Sequence, residues 1–218
     1  MEALLGPLEL LPQLLRGARI TLQLTLLTAV LAFFLSFAVA FARNAPWKWL
    51  RYATVAYVEI FRGTSALVQL FFLFFILPAY GLSLPPMLTA IVALGLNMSA
   101  YGSEIVRGAI ATVGQDQRDA ARALGLTRVQ TWRTVILPQA MVVALPSFGN
   151  LLIELLKATS LVSLITITEL TFAGRQMVVT TGRDFEVWAL VLVLYFAMAW
   201  PLSLLVARAE ARAARFRR

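Results

Sequence analysis

The chain has 218 residues, of which 60% are hydrophobic and 14% charged, with a formal charge of +8. Soluble domains run at about 45–50% apolar and about 25% charged, so this composition excludes an ordinary water-soluble core and suits a chain whose outer surface meets lipid. It contains neither cysteine nor histidine, which removes disulfides, thiolate metal sites and the commonest general base; no catalytic residue and no metal ligand set is expected.

The opening residues MEALLGPLEL are acidic where a cleavable signal would be basic, so none is expected. A membrane-crossing helix needs roughly 20 apolar residues. The uncharged stretch Ile20 to Ala42 predicts span one. The apolar stretch from Gly63 to Ser103 is interrupted by PAYGLSLPP, a turn signal. It divides into span two, about Ala53 to Leu77, and span three, about Met87 to Arg107. Span four is expected over Thr134 to Ile153, with Pro146 and Gly149 as candidate breaks, and span five over Val187 to Ala207. The mixed segment Thr168 to Glu186 reads as an outer loop carrying a short helix. The prediction is a single all-α, polytopic domain of about five transmembrane helices over residues 1–218.

Basic residues set the orientation. Arg43, Lys48 and Arg51 follow span one. Arg118, Arg122, Arg128 and Arg133 follow span three. Arg208, Arg212, Arg215, Arg217 and Arg218 close the chain. With five spans these sets share one side, so the N-terminus is expected outside and the C-terminus in the cytoplasm. The same placement turns the positive charge away from a nucleic-acid role. Trp47 and Trp49, beside Lys48, suit the interface on that side.

The segment 114–138 is too polar to span. Asp116 and Asp119 favour a helix start; Ala120, Ala121, Ala123 and Leu124 follow, and Gly125 is a natural stop. A short helix, a turn and a second helical piece are expected. On physics alone this is also what a plain amphipathic surface helix looks like.

The run Asp119-Ala120-Ala121, then Gly125, then Val135-Ile136-Leu137-Pro138 resembles the EAA loop of bacterial ABC importer permeases, with Asp in place of Glu and Val in place of Ile. Further runs, ITLQLTLLTAVLAF, VEIFRGTSALVQLFF, NMSAYGSEIVRGAI and LPQAMVVALPSFGNLLIELLKATSLVSLI, are similar to the polar-amino-acid branch of that family. Ser65 and Ala158 stand where the branch usually has Pro and Asp. The resemblance implies the type I (MetI-like) permease fold in a bacterial inner membrane. It implies a second permease chain, identical or a sister, two separate ATP-binding subunits and an extracytoplasmic substrate-binding protein. It makes Asp119, Ala120, Ala121, Leu124, Gly125, Val135, Leu137 and Pro138 the ATPase-coupling residues. No G-x-x-x-x-G-K-[ST] phosphate loop occurs in the chain, so ATP is expected to be used by the partner ATPase and no cofactor to be held here.

Polar residues within spans are costly and point to function or to pairing. Asn97, Tyr101 and Glu104 are spaced to share a helix face. Glu104 is expected to pair with Arg107 or Arg62, and Glu59 with Arg62. Asn150, Glu154 and Lys157 also share a face; Glu154 either pairs with Lys157 or faces a cationic group on the cargo. The candidate substrate residues are Asn97, Tyr101, Asn150, Glu154 and Lys157. Basic-amino-acid permeases of this type place a carboxylate in this region, which implies a cationic or zwitterionic solute such as arginine, lysine, histidine, an opine or ectoine. The competing class, a secondary transporter or channel, needs no patterned cytoplasmic loop and commonly shows inverted halves; no repeat is evident here.

Overall fold

A computed structural model describes residues 2–215, so Arg217 and Arg218 of the basic tail lie outside the described residues. Every regular element among the described residues is helical. In chain order they are α1 (Glu2–Ala42), α2 (Lys48–Gly63), α3 (Ala66–Phe71) and α4 (Pro86–Ala111). The short α5 (Gln115–Ala123) and α6 (Arg128–Gln130) precede α7 (Leu137–Ala158), α8 (Leu170–Thr181) and α9 (Asp184–Arg215). The segments 9–42, 128–165 and 184–212 are each long and apolar enough to cross a membrane. This is the all-α, polytopic architecture expected.

Helix α4 is the axis of the bundle. Thr89, Ala90, Ala93, Leu94, Asn97, Met98, Ser99, Ala100, Gly102, Ser103 and Val106 along it are buried. Its main neighbour is α1, whose buried stripe Thr21, Thr25, Thr28, Ala32 and Ser36 is made of small residues. In lipid, helices gain little from hydrophobicity and associate through small residues that let backbones approach. Three hydroxyls on the stripe bond back into their own helix: Thr21 to the Gly17 carbonyl at 3.2 Å, Thr25 to the Thr21 carbonyl at 2.8 Å and Ser36 to the Ala32 carbonyl at 2.6 Å. Contact is closest where Gly102 faces Ser36; a methyl group on Gly102 would lie 2.1 Å from the Ser36 hydroxyl oxygen.

Several expected boundaries are corrected. Span two is not one helix. Its two parts, Lys48–Gly63 and Ala66–Tyr80, meet at 107° across Thr64 and Ser65. Pro146 and Gly149 do not break span four, because α7 continues through both. Pro138 is accommodated instead by a π-helical segment, Thr131–Ile136, in which the Leu137 N–H donates to the Trp132 carbonyl. The wider turn accommodates a residue that can donate no bond of its own and crowds the turn before it. The expected outer loop carries the short helix, but that helix is packed rather than free. Leu170, Ala173, Gly174 and Met177 of α8 are buried, in a cluster that includes Leu14 of α1 and Val187 of α9. Glu169, within the segment read as a loop, is 0% exposed. It caps α8 by accepting from the Thr171 and Phe172 N–H groups at 2.9 and 2.8 Å, and it accepts from the Tyr195 hydroxyl at 2.9 Å. A buried carboxylate survives here because donors from α8 and α9 surround it.

Gly102→Val is expected to destabilise the α1–α4 contact by about 1–3 kcal/mol through overpacking. Gly108→Ala on the same helix, where nothing lies within 4 Å of the added carbon, is expected to raise stability slightly, by about 0.4–1 kcal/mol. Thermal unfolding of the two variants in detergent measures the difference.

Candidate functional site

The break between α2 and α3 leaves backbone carbonyls without helical partners, and in a lipid-facing chain these must be satisfied inside the protein. The Gln69 amide reaches back to donate to the Phe61 carbonyl at 3.0 Å and to the Thr64 hydroxyl oxygen at 2.7 Å. Asn97, only 4% exposed, donates to the Phe61 carbonyl at 2.9 Å and to the Gln69 side-chain oxygen at 3.0 Å. Asn97, a candidate substrate residue, therefore has its amide engaged in holding the broken helix against α4.

The bend brings Arg62 to the side of α4, with its guanidinium 5.4 Å from the centre of the Tyr101 ring. There it borders an open cleft of about 490 Å³ between the α2–α4 layer and α7. Tyr101 and Glu104 line it from α4, and Ser147, Asn150 and Glu154 from α7. Three of the five candidate substrate residues, Tyr101, Asn150 and Glu154, thus meet in one place. Lys157 is exposed but does not line the cleft. Among the described residues Glu154 and Lys157 form no ion pair, nor do Glu59 and Arg62. Glu104 pairs with Arg43 and, at 2.7 Å, with Arg107; Arg107 was expected, Arg43 was not, and Arg62 is engaged elsewhere. The cleft consequently holds one carboxylate, Glu154, with no cation on it.

Arg62 and Ser147 were not among the sequence candidates. The available signal was Gly63-Thr64-Ser65, a helix-breaking run directly after an arginine in an otherwise apolar stretch. Ser147 carried none, since its role depends only on which face α7 turns to the cleft.

The polar segment forms the expected short helix and second helical piece. Asp119 accepts from Gln115 at 3.0 Å and from Arg122 at 3.1 Å. Gly125 ends α5 with φ of 73°, a left-handed conformation natural to glycine. The Gly125 N–H bonds the Arg122 carbonyl and the Leu126 N–H bonds the Ala121 carbonyl, the two closing bonds of a Schellman turn. A capping box between Thr127 and Gln130 starts α6. Ala121 is buried against the chain itself, whereas Ala120, Gly125 and Pro138 are exposed and Leu124 is 79% exposed. Val135 and Leu137 are half-buried. Ile136, between them, is the residue that enters the cluster holding Val106, Ala109 and Ile110 of α4. The segment therefore exposes Ala120, Ala123 and Leu124 among polar neighbours and is tied at its far end to both α4 and α7.

Residues 32–215 match the family described as binding-protein-dependent transport system inner membrane component. A probable amino-acid ABC transporter permease protein of Sinorhizobium fredii is 43% identical, over 98% of this chain and 90% of that protein. The glutamine transport system permease protein of Escherichia coli is 35% identical, over 93% of each chain. Among solved structures, a chain of an amino acid ABC transporter with histidines superposes with a TM-score of 0.90 at 33% identity, covering 95% of this chain and 97% of that one.

Asn97→Ala is expected to leave the Gln69 oxygen without a donor and the Phe61 carbonyl with Gln69 alone, at a cost of about 1–3 kcal/mol. The loss should appear as a lower unfolding temperature and as faster amide exchange confined to residues 60–70.

Proposed function

The chain belongs to the family of inner-membrane components of binding-protein-dependent transport systems, and from that membership we propose that it is the membrane-spanning permease of an ATP-driven importer for amino acids or amino-acid-like solutes. The relatives named for amino-acid transport support the cargo class. In this reading the chain pairs with a second permease chain around a shared path. Two ATP-binding subunits sit below it, and a substrate-binding protein delivers cargo from outside. The N-terminus is outside and the C-terminus cytoplasmic, following the basic segments. ATP is held and hydrolysed by the partner subunits.

The observation that carries the cargo assignment is the unpaired Glu154 in a cleft that also holds Arg62, Tyr101 and Asn150. Arg62 offers a fork of donors to a carboxylate, Tyr101 and Asn150 offer neutral hydrogen-bonding groups, and Glu154 meets a positive group. The arrangement complements a zwitterion and favours one with an added cationic part. Asn97 supports the cleft from behind, and Lys157 flanks it one turn beyond Glu154.

The coupling reading rests on the exposed outer face of α5 and on the helical continuity that follows it. Ala120 and Leu124 meet the ATPase, Gly125 makes the turn, and Asp119 stiffens the helix through Arg122. Movement of α5 passes through the segment containing Val135, Leu137 and Pro138 into α7 and, through Ile136, into α4.

In reconstituted transporter, Glu154→Gln is expected to reduce uptake of cationic cargo roughly ten- to hundredfold, the range of a lost charge-assisted hydrogen bond, and to spare neutral cargo. Equal loss for both, or none for either, removes Glu154 from the recognition of charge. Gly125→Val strains the turn by about 1–2 kcal/mol in a place where no other part of the chain crowds it. The expected outcome is a folded, membrane-inserted protein whose partner still hydrolyses ATP while uptake falls. Uptake at the normal rate would sink the coupling role.

A further inference from the structure

At the junction of α1 and α2 lies a second cavity, of about 340 Å³, lined by Arg43, Lys48, Arg51, Tyr52 and Val55. It stands apart from the cleft of Glu154. Four of its residues are spaced i, i+3, i+4 and i+7 and form one face of α2. The fifth, Arg43, closes it from just beyond the end of α1. Lys48 and Arg51 have no counter-charge among the described residues. Arg43 is anchored by Nη1 on Glu104, which fixes the guanidinium at the rim and leaves other donors of its fork available. Trp47 precedes α2 without a side-chain cap, so the amide groups of its first turn also face this end unpaired. Around the cavity Trp47, Trp49 and Tyr52 are 61%, 69% and 74% exposed. Exposed aromatic side chains of this kind settle at the boundary between hydrocarbon and water.

We infer that this cavity is a binding site for the phosphate of an anionic phospholipid. The chemistry is that of a phosphate receptor: two unpaired cations, a third held in position, and a hydroxyl. The source is the bilayer, because the site opens where a membrane-crossing helix ends and is bordered by boundary-seeking aromatics. Basic pockets at the membrane surface hold lipid headgroups by the same means. A lipid seated there couples the α1–α2 corner to the bilayer and, through Arg43 and Glu104, to α4. The inference depends on α1 crossing the membrane and not on the identity of the cargo or on the coupling role of α5.

The test uses the full chain assembled with its ATPase and exchanged into nanodiscs containing phosphatidylglycerol and phosphatidylcholine. Native mass spectrometry after release counts retained lipids. The wild-type chain is expected to keep phosphatidylglycerol in preference to phosphatidylcholine. Lys48→Gln and Arg51→Gln are each expected to lower that retention about fivefold, the effect of about 1 kcal/mol per surface cation, and the double variant by the product. Arg208→Gln combined with Arg212→Gln removes equal charge elsewhere and is expected to change nothing. Retention unaffected by the α2 variants overturns the site. Equal loss in the tail variant overturns it as well, leaving only non-specific charge attraction. Displacement of the lipid by millimolar inorganic phosphate or glycerol 3-phosphate overturns the bilayer as the source and assigns the cavity to a soluble phosphate.

Discussion

The amide bridge of Asn97 and Gln69 across the bend at Thr64 and Ser65 is the constraint on which the rest of the structure depends. A chain in lipid cannot leave carbonyls unpaired, so a helix that turns through 107° survives only if neighbouring side chains replace the lost bonds. Both replacements come from amides, which can give and accept at once: Gln69 donates to Phe61 and Thr64 while it accepts from Asn97. The bend is thereby locked to the middle of α4, and Arg62 is delivered beside Tyr101. A straight second span would carry Arg62 elsewhere and leave no cleft of this composition.

Mechanical continuity runs from the polar segment to the same cleft. The Schellman turn at Gly125, the capping box at Thr127 and the π-helical adjustment before Pro138 leave few soft points between α5 and α7. From Leu137 to Glu154 the helix is unbroken, a distance of about 26 Å at ~1.5 Å per residue. Pro146 removes one hydrogen bond from α7 without ending it. Helical backbone therefore runs from Arg128 on to Glu154, and Ile136 packs against α4.

Charge is distributed in distinct arrangements, from the buried Glu169 to exposed groups such as Glu154, Lys48 and Arg51. Glu169 is surrounded by neutral donors and ties α8 to α9. Glu104 is shared by Arg43 and Arg107 and ties the end of α1 to α4. Glu154 alone faces the cleft without a cation. Lys48 and Arg51 are the reverse case, cations without an acid, at the corner where α1 meets α2. Paired and capped groups hold helices together, whereas the unpaired charges at the cleft and at the α1–α2 corner are exposed.

Much of this was legible in the residue order because it follows from local chemistry. The apolar stretches, the turn at Pro85 and Pro86, the helix ending at Gly125 and the grouping of the basic segments depend on composition, on φ preference and on the cost of charge in lipid, all of which act within a few residues. The resemblance of the segment around Asp119 to a known loop was carried by exact spacing. What only the tertiary structure decided involved partners distant in the chain. Asn97 looked like a ligand until Phe61 and Gln69 were found against it. Glu104 took Arg43, 61 positions away, rather than Arg62. Glu169, in a segment that read as a loop, is enclosed by Tyr195 of α9 and the start of α8. A sequence records which groups need a partner; the packing of helices decides which partner each one meets.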